Sequence, residues 1–165
     1  GVAGIHDEYA FRLVELLQQK GKVFISSERP LHPKLEAYRV QIDPKEMHEF
    51  LSQIDLLVGD SQTMTAEAAV LGTPSVRFND FVGRLGYLEE LEHKYQLTYG
   101  IKSNQPEKLF EKVEELINQN DIEAEWELRR QKMLSESIDL THFLTSFLID
   151  YSKSHENGIQ LKYYN

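Results

Sequence analysis

The stretch Leu56-Leu57-Val58-Gly59-Asp60-Ser61-Gln62-Thr63-Met64-Thr65-Ala66-Glu67 continues through Ala68-Ala69-Val70 and closes at Leu71-Gly72-Thr73-Pro74. An apolar run stops at a Gly-Asp-Ser turn, and a helix rich in small residues starts at once. A glycine ends that helix, as glycine commonly does, and a proline opens the next apolar run. The reading is strand, tight turn, helix, strand. A helix start placed in such a turn presents free backbone N–H groups, and with the macrodipole these attract anions. Ser61 and Thr63 add hydroxyls there. Glu67 lies six residues after Ser61, about one and a half turns into the helix. There its carboxylate is placed to accept hydrogen bonds from ribose hydroxyls while the turn holds phosphate. The segment has the chemistry of a nucleotide-sugar site.

Outward from this segment, strands and helices alternate. Apolar residues recur at helical spacing from about Asp7 to Lys20, and Gly21 ends the run. Lys22–Ser26 reads as a short buried strand, Pro30 and Pro33 break the loop after it, and Tyr38–Ile42 reads as a second strand. Asp43-Pro44-Lys45-Glu46 has the form of a helix start, with a capping aspartate, a first-turn proline and a glutamate three residues on. After Pro74–Phe78 the pattern predicts a helix over Leu85–Lys94 and a strand over Leu97–Ile101. The remainder is helical, in three apolar stripes. The first joins Leu109, Phe110, Val113, Leu116 and Ile117; the second holds Trp126 and Met133; the third, the most regular, runs from Leu140 to Tyr151. These stripes predict core or interface packing. Residues 152–165 form a polar tail.

Alternation of this kind predicts an α/β fold: a Rossmann-like, three-layer α/β/α domain over residues 1–151, with a parallel sheet, right-handed crossovers and closing C-terminal helices. His6-Asp7 stands where a strand-to-helix turn belongs, with too few residues ahead of it to form a strand. The chain therefore reads as part of a larger protein whose first strand is missing from this domain. A free-standing domain that opens on a helix is the alternative.

Composition narrows the function classes. The 165 residues are 41% apolar with a net charge of −9, enough for one core and opposed to a nucleic-acid-binding surface. Cysteine is absent, which removes disulfides and thiolate metal ligands. The histidines show no metal spacing. No apolar run approaches the roughly 20 residues of a membrane helix, and no signal sequence stands at the start. The expectation is a cytoplasmic protein.

In open parallel sheets ligands bind beyond the carboxyl ends of the strands. That rule collects His6 and Asp7, Ser26 to Glu28, Asp60 to Thr63, and Asn79 to Phe81, with Arg77 and Arg84 flanking the last loop. Each has a plainer reading. Ser61 and Thr63 serve as helix caps, Glu67 as a solvated helix residue, His6 as a surface histidine, Glu28 as a loop carboxylate. Arg77, inside a strand, pairs with a neighbour.

The run from Asp60 to Pro74 resembles the C-terminal nucleotide-binding half of GT-B fold proteins. It is similar to the UDP-N-acetylglucosamine 2-epimerase and glycosyltransferase type, whose motif is Asp-Ser-Gly-Gly, a glutamate six residues after the serine, then Leu-Gly-x-Pro. His6-Asp7 before a helix and a Val-Phe-Ile strand resembles the histidine that opens that half. The chain looks most like a prokaryotic GT-B-like family without an assigned function. The resemblance covers about residues 5 to 118. It implies a nucleotide-sugar ligand such as a UDP-sugar, with no separate cofactor or metal. Ser61, Gln62 and Thr63 would contact the diphosphate and Glu67 the ribose, with Glu28 and Arg77 as further binding candidates and His6 and Asp7 as catalytic candidates. Gln62 and Thr63 replace the paired glycines and narrow the backbone approach, which argues against epimerase chemistry and leaves nucleotide-sugar binding. The N-terminal half of the same protein is the implied partner, a homo-oligomer is a further option, and this fragment alone is expected to be inactive. The alternative function is a non-catalytic GT-B-like regulatory or interaction module. A receiver-like domain is disfavoured, because the chain has no clear Asp-Asp pair at the end of a first strand.

Overall fold

The computed structural model describes residues 4–156, with side chains described through Tyr151; most of the polar tail lies outside the described residues. Two compact units are present, residues 1–131 and 132–165, and the α/β architecture belongs to the first.

Helix α1 (Asp7–Leu17) starts at His6, with Asp7 and Glu8 in its first turn favouring the positive end of the dipole. Its buried face is Leu13 and Val14, and the Gly21 amide closes the end on the Leu17 carbonyl at 3.2 Å. The two strands expected at Lys22–Ser26 and Tyr38–Ile42 shrink to one parallel bridge, Ile25 to Arg39. The intervening loop is folded on itself instead: the Arg39 guanidinium donates to the Ser27 carbonyl at 2.9 Å and pairs with Glu36 at 2.7 Å. Two short segments with no third strand beside them are marginal as a sheet, and Phe24 remains 42% exposed.

Helix α2 (Met47–Ser52) begins later than the capping pattern predicts. The Asp43 carboxylate accepts from the Lys45 amide at 2.9 Å, an Asx turn that consumes the capping group before the helix starts. Strand β1 (Leu57–Gly59) then leads through Asp60-Ser61 into helix α3 (Gln62–Leu71). Gly72 ends α3 at φ +91°, a left-handed position that glycine enters without Cβ strain. Strand β2 (Ser75–Phe78) is buried along its whole length. Helix α4 (Gly86–Glu89) continues as a π-helical segment over Glu90–Lys94, so the predicted helix stands, with a wider turn in its second half. Strand β3 (Thr98–Ile101) and helix α5 (Pro106–Asn118) follow.

The sheet is parallel with the order β1-β2-β3; Val58 pairs with Val76, and Val76 with Tyr99. A central parallel strand covered on both faces reads as a continuous apolar run; β2 fits this at Val76 and Phe78 but not at the buried Ser75 and Arg77. Val76, Phe78, Leu97, Leu109, Val113 and Leu116 are the centre of the core. Helix α6 (Ile122–Ser135) adds Trp126, fully buried, whose indole N–H donates to the Leu97 carbonyl at 3.0 Å.

In the second unit, helix α7 (Leu140–Glu156) carries the regular third stripe. The stripe is not buried: Phe143 and Leu148 are 54% and 62% exposed, and the Phe143, Phe147 and Tyr151 rings stack along the helix surface. No helix among the described residues is long and apolar enough to cross a membrane.

Candidate functional site

The carboxyl end of β1 is where the separated sequence elements converge. Asp60 receives the Arg29 guanidinium at 3.4 Å, and the same guanidinium donates to the Ile5 carbonyl at 3.4 Å. Gly4 packs directly on this aspartate: a Cβ there would run into the Asp60 side chain, which would have to shift to admit it. Asn79, at the end of β2, is buried and ties the turn down. Its Nδ2 donates to the Asp60 carbonyl at 2.9 Å, and its Oδ1 accepts from the Phe81 amide at 2.9 Å. One side chain thus satisfies backbone groups on two neighbouring strand ends.

The start of α3 sits on this platform. Ser61 is its N-cap; its Oγ accepts from the Met64 amide at 3.3 Å, while Thr65 Oγ1 donates to the Ser61 carbonyl at 2.6 Å. The first turn, Gln62-Thr63-Met64, carries no acidic side chain, so nothing in that turn offsets the positive end of the helix dipole. Gln62 is half-buried and Thr63 exposed.

A cavity of about 1030 Å³ opens beside this point. At the carboxyl end of the strands its walls are polar: His6, Asp7, Ser26, Ser27, Arg29 and Ser61. Further in they are apolar, with Leu13 and Val14 of α1 facing Leu57 and Val58. The structure therefore brings His6, Asp7 and Ser61 to one space. Glu28, Gln62, Thr63, Glu67 and Arg77 are not among the lining residues. Glu28 is exposed on the loop. Glu67, one third exposed, faces His48 of α2, carboxylate to Nε2 at 3.6 Å. Arg29 and His48 did not stand out in the sequence, because each becomes relevant only through a partner remote along the chain.

Arg77 lies in a different environment. It is 1% exposed and its guanidinium stands 3.8 Å from the Glu89 carboxylate. None of its three nitrogens has a hydrogen-bond partner among the described residues, and neither has Glu92 Oε2. Burial pushes the Arg77 guanidinium below its ordinary pKa, although Glu92 and Glu89 act in the other direction. Burial likewise raises the Glu92 carboxyl, with the Gly100 amide hydrogen bond opposing. Glu89, Glu92 and His93 hold their ligand atoms within 4.8 Å of one another. A cation there would meet the buried Arg77 charge and a carboxyl that favours its proton, so the trio is poorly suited to a metal. Arg84 and Lys102 line a second, polar pocket of about 190 Å³ at the ends of β2 and β3, beside the hydrogen bond from Ser103 to Asp80.

No protein-family model, no curated protein and no solved structure matches the chain.

Proposed function

We propose that this chain is the nucleotide-sugar-binding half of a glycosyltransferase-like or epimerase-like GT-B protein. In this reading the donor diphosphate rests at the start of α3, on Ser61, Gln62 and Thr63, and the ribose lies against Glu67. The observation that carries it is the position of α3: a ten-residue helix with no acidic residue in its first turn, whose N-cap Ser61 lines the polar end of a cavity together with His6 and Arg29, beyond the carboxyl end of a parallel strand. Six residues of helix separate Ser61 from Glu67, a rise of about 9 Å, comparable with the reach from a diphosphate to the ribose hydroxyls. His48, exposed beside Glu67, would flank the ribose. The sugar, at the far end of the diphosphate, would face His6 and Asp7, and a second domain would complete catalysis.

A second reading, a non-catalytic module on the same fold, is favoured by one detail. Ser61 already spends its Oγ on the Met64 amide, so the helix start is partly satisfied from within.

Titration with UDP, UDP-sugars and other nucleotides, followed by amide chemical shifts, separates the two. Nucleotide-dependent shifts at Gln62, Thr63, Met64 and Glu67 are expected. Their absence with every nucleotide, also in a longer chain carrying a second domain, would leave the non-catalytic reading.

A further inference from the structure

The second pocket, at the carboxyl ends of β2 and β3, is built from two short loops and carries both signs of charge. Its volume is about 190 Å³, and Asp80, Arg84, Lys102 and Asn104 are on its wall with Val82 and Ser103. None of these residues lines the cavity beside β1. Ligands of open parallel sheets bind beyond such strand ends.

The loop after β2 is held from several directions. The Phe81 amide donates to Asn79 Oδ1 at 2.9 Å, and the Arg84 amide closes a turn on the Phe81 carbonyl at 3.1 Å. Gly83, at φ +87°, donates its amide to Glu89 Oε1 at 3.0 Å, and the buried Arg77 guanidinium backs that carboxylate at 3.8 Å. Val82 packs against β3, where its Cγ1 would lie 2.9 Å from a Cβ at Gly100. The loop after β3 is joined to it by the hydrogen bond from Ser103 Oγ to Asp80. The backbone under each charged group is therefore fixed before a ligand arrives, which lowers the ordering cost of binding.

The charges in this pocket are not balanced. The other arginines, Arg12, Arg29, Arg39, Arg77, Arg129 and Arg130, each have a carboxylate beside them. Arg84 has none among the described residues; its guanidinium lies over the Phe81 ring, 5.8 Å from the centroid. In a chain of net charge −9 such an arginine is the exception. Lys102, on the facing loop, likewise makes no ion pair among the described residues. Asp80 is engaged by Ser103, and a carboxylate has about four acceptor sites, enough to take further donors.

Two cations against one carboxylate leave one positive charge in excess, which matches a monoanion. A phosphate ester is mostly dianionic at neutral pH and would set its charge against Asp80 with no proton to offer. A carboxylate with a neighbouring hydroxyl answers all three groups: its oxygens accept from Arg84 and Lys102, and its hydroxyl donates to Asp80. The volume of about 190 Å³ gives room for about six water-sized groups, the size of a carboxylate with its hydroxyl-bearing neighbour.

We propose that this pocket binds the carboxylate end of a hydroxy acid, sugar acids included, with Arg84 and Lys102 on the carboxylate and Asp80 on the adjacent hydroxyl. The proposal goes beyond the nucleotide reading of α3 and does not depend on it.

The test is a titration at constant ionic strength, followed by the amide shifts of Gly83, Arg84, Lys102 and Asn104. Four probes are used: glucuronate carries both groups, glucose only hydroxyls, acetate only the carboxylate, and inorganic phosphate the more highly charged alternative. Saturable shifts with glucuronate are expected, with binding about tenfold or more weaker for the other three. Arg84→Gln and Lys102→Gln should each weaken glucuronate binding about tenfold, and Asp80→Asn should narrow the gap between glucuronate and acetate. Arg84 and Lys102 are exposed, so these variants keep the fold, which unchanged shifts at Val76 and Leu97 in the core verify. Three outcomes overturn the proposal: no saturable shift with glucuronate, acetate bound as tightly as glucuronate by the parent chain, or phosphate bound more tightly, which would make this a phosphate pocket. The amides of Gln62, Thr63 and Met64 report the nucleotide site in the same spectra, so the failure of one reading is distinguished from the failure of the other.

Discussion

Glu67 on α3 and His48 on α2 face each other across 3.6 Å, with His48 70% exposed and Glu67 one third exposed. The pair binds two helices at a surface where water competes, so it adds little to stability. Its value lies in where it holds the carboxylate. Glu67→Gln is expected to weaken UDP-sugar binding about tenfold, the loss of a hydrogen bond to a charged acceptor. His48→Ala should change unfolding free energy by no more than about 0.5 kcal/mol. Calorimetric titration and chemical denaturation read the two effects. A Glu67→Gln chain that binds as tightly as the parent would remove the ribose assignment.

Ser61 caps α3 and stands where phosphate is proposed to bind. Ser61→Ala should cost about 1 kcal/mol through the lost cap. Ser61→Asp keeps a capping acceptor while placing a negative charge at the helix start, so it should retain the parent stability and lose nucleotide affinity. If both variants bind nucleotide like the parent, the helix start is not the phosphate site. Denaturation midpoints and nucleotide titration together make the distinction.

Glu92 sits under β3 beside Arg77, and burial lifts its pKa. A carboxyl whose folded pKa is raised binds its proton more tightly in the folded state. Its contribution to stability is fully present below the ordinary carboxylate range and is lost as pH rises through the folded value. The shift is upward even with the Arg77 charge beside it, so burial outweighs that attraction. Glu92→Gln should therefore be more stable than the parent at neutral pH, with the advantage disappearing near pH ~3.5, where the parent Glu92 is itself protonated. Urea unfolding across that range checks the slope, and an advantage that grows as pH falls would contradict it.

Gly100, in the middle of β3, is the residue that makes room for this group. A Cβ there would lie 2.9 Å from Glu92 Oε2, 2.9 Å from Val82 Cγ1 and 3.0 Å from an Arg77 nitrogen. With three neighbours closing at once, Gly100→Ala should destabilise by about 1–3 kcal/mol, read from the urea midpoint. A neutral effect would mean that Arg77 and Glu92 can move aside.

The sequence was most legible where local chemistry and tertiary context agree. The turn from Gly59 to Ser61, the helix it starts and the Gly72 that ends it are dictated by capping and left-handed preferences that act within a few residues. Strands β2 and β3 followed from short apolar runs between turn signals. The reading failed where one local group had two uses. Asp43 has the spacing of a helix cap, yet its carboxylate closes an Asx turn with Lys45. Lys22–Ser26 has strand composition, yet a strand exists only if a neighbour offers a ladder, and here that neighbour is a single bridge at Arg39. The candidate site divided in the same way. Ser61 at the helix start was readable; that Arg29 would meet Asp60, 31 residues away, was not.

By itself, then, the sequence determined an alternating α/β chain with a serine-capped turn before α3, because helix caps, glycine conformations and apolar periodicity are short-range properties. Only the tertiary structure decided that Arg77 turns inward to Glu89, that Glu67 looks toward His48, and that a cavity opens beside β1. Those outcomes depend on which surfaces meet when distant segments pack, and burial, not residue type, sets the cost of each charge and each unpaired backbone group.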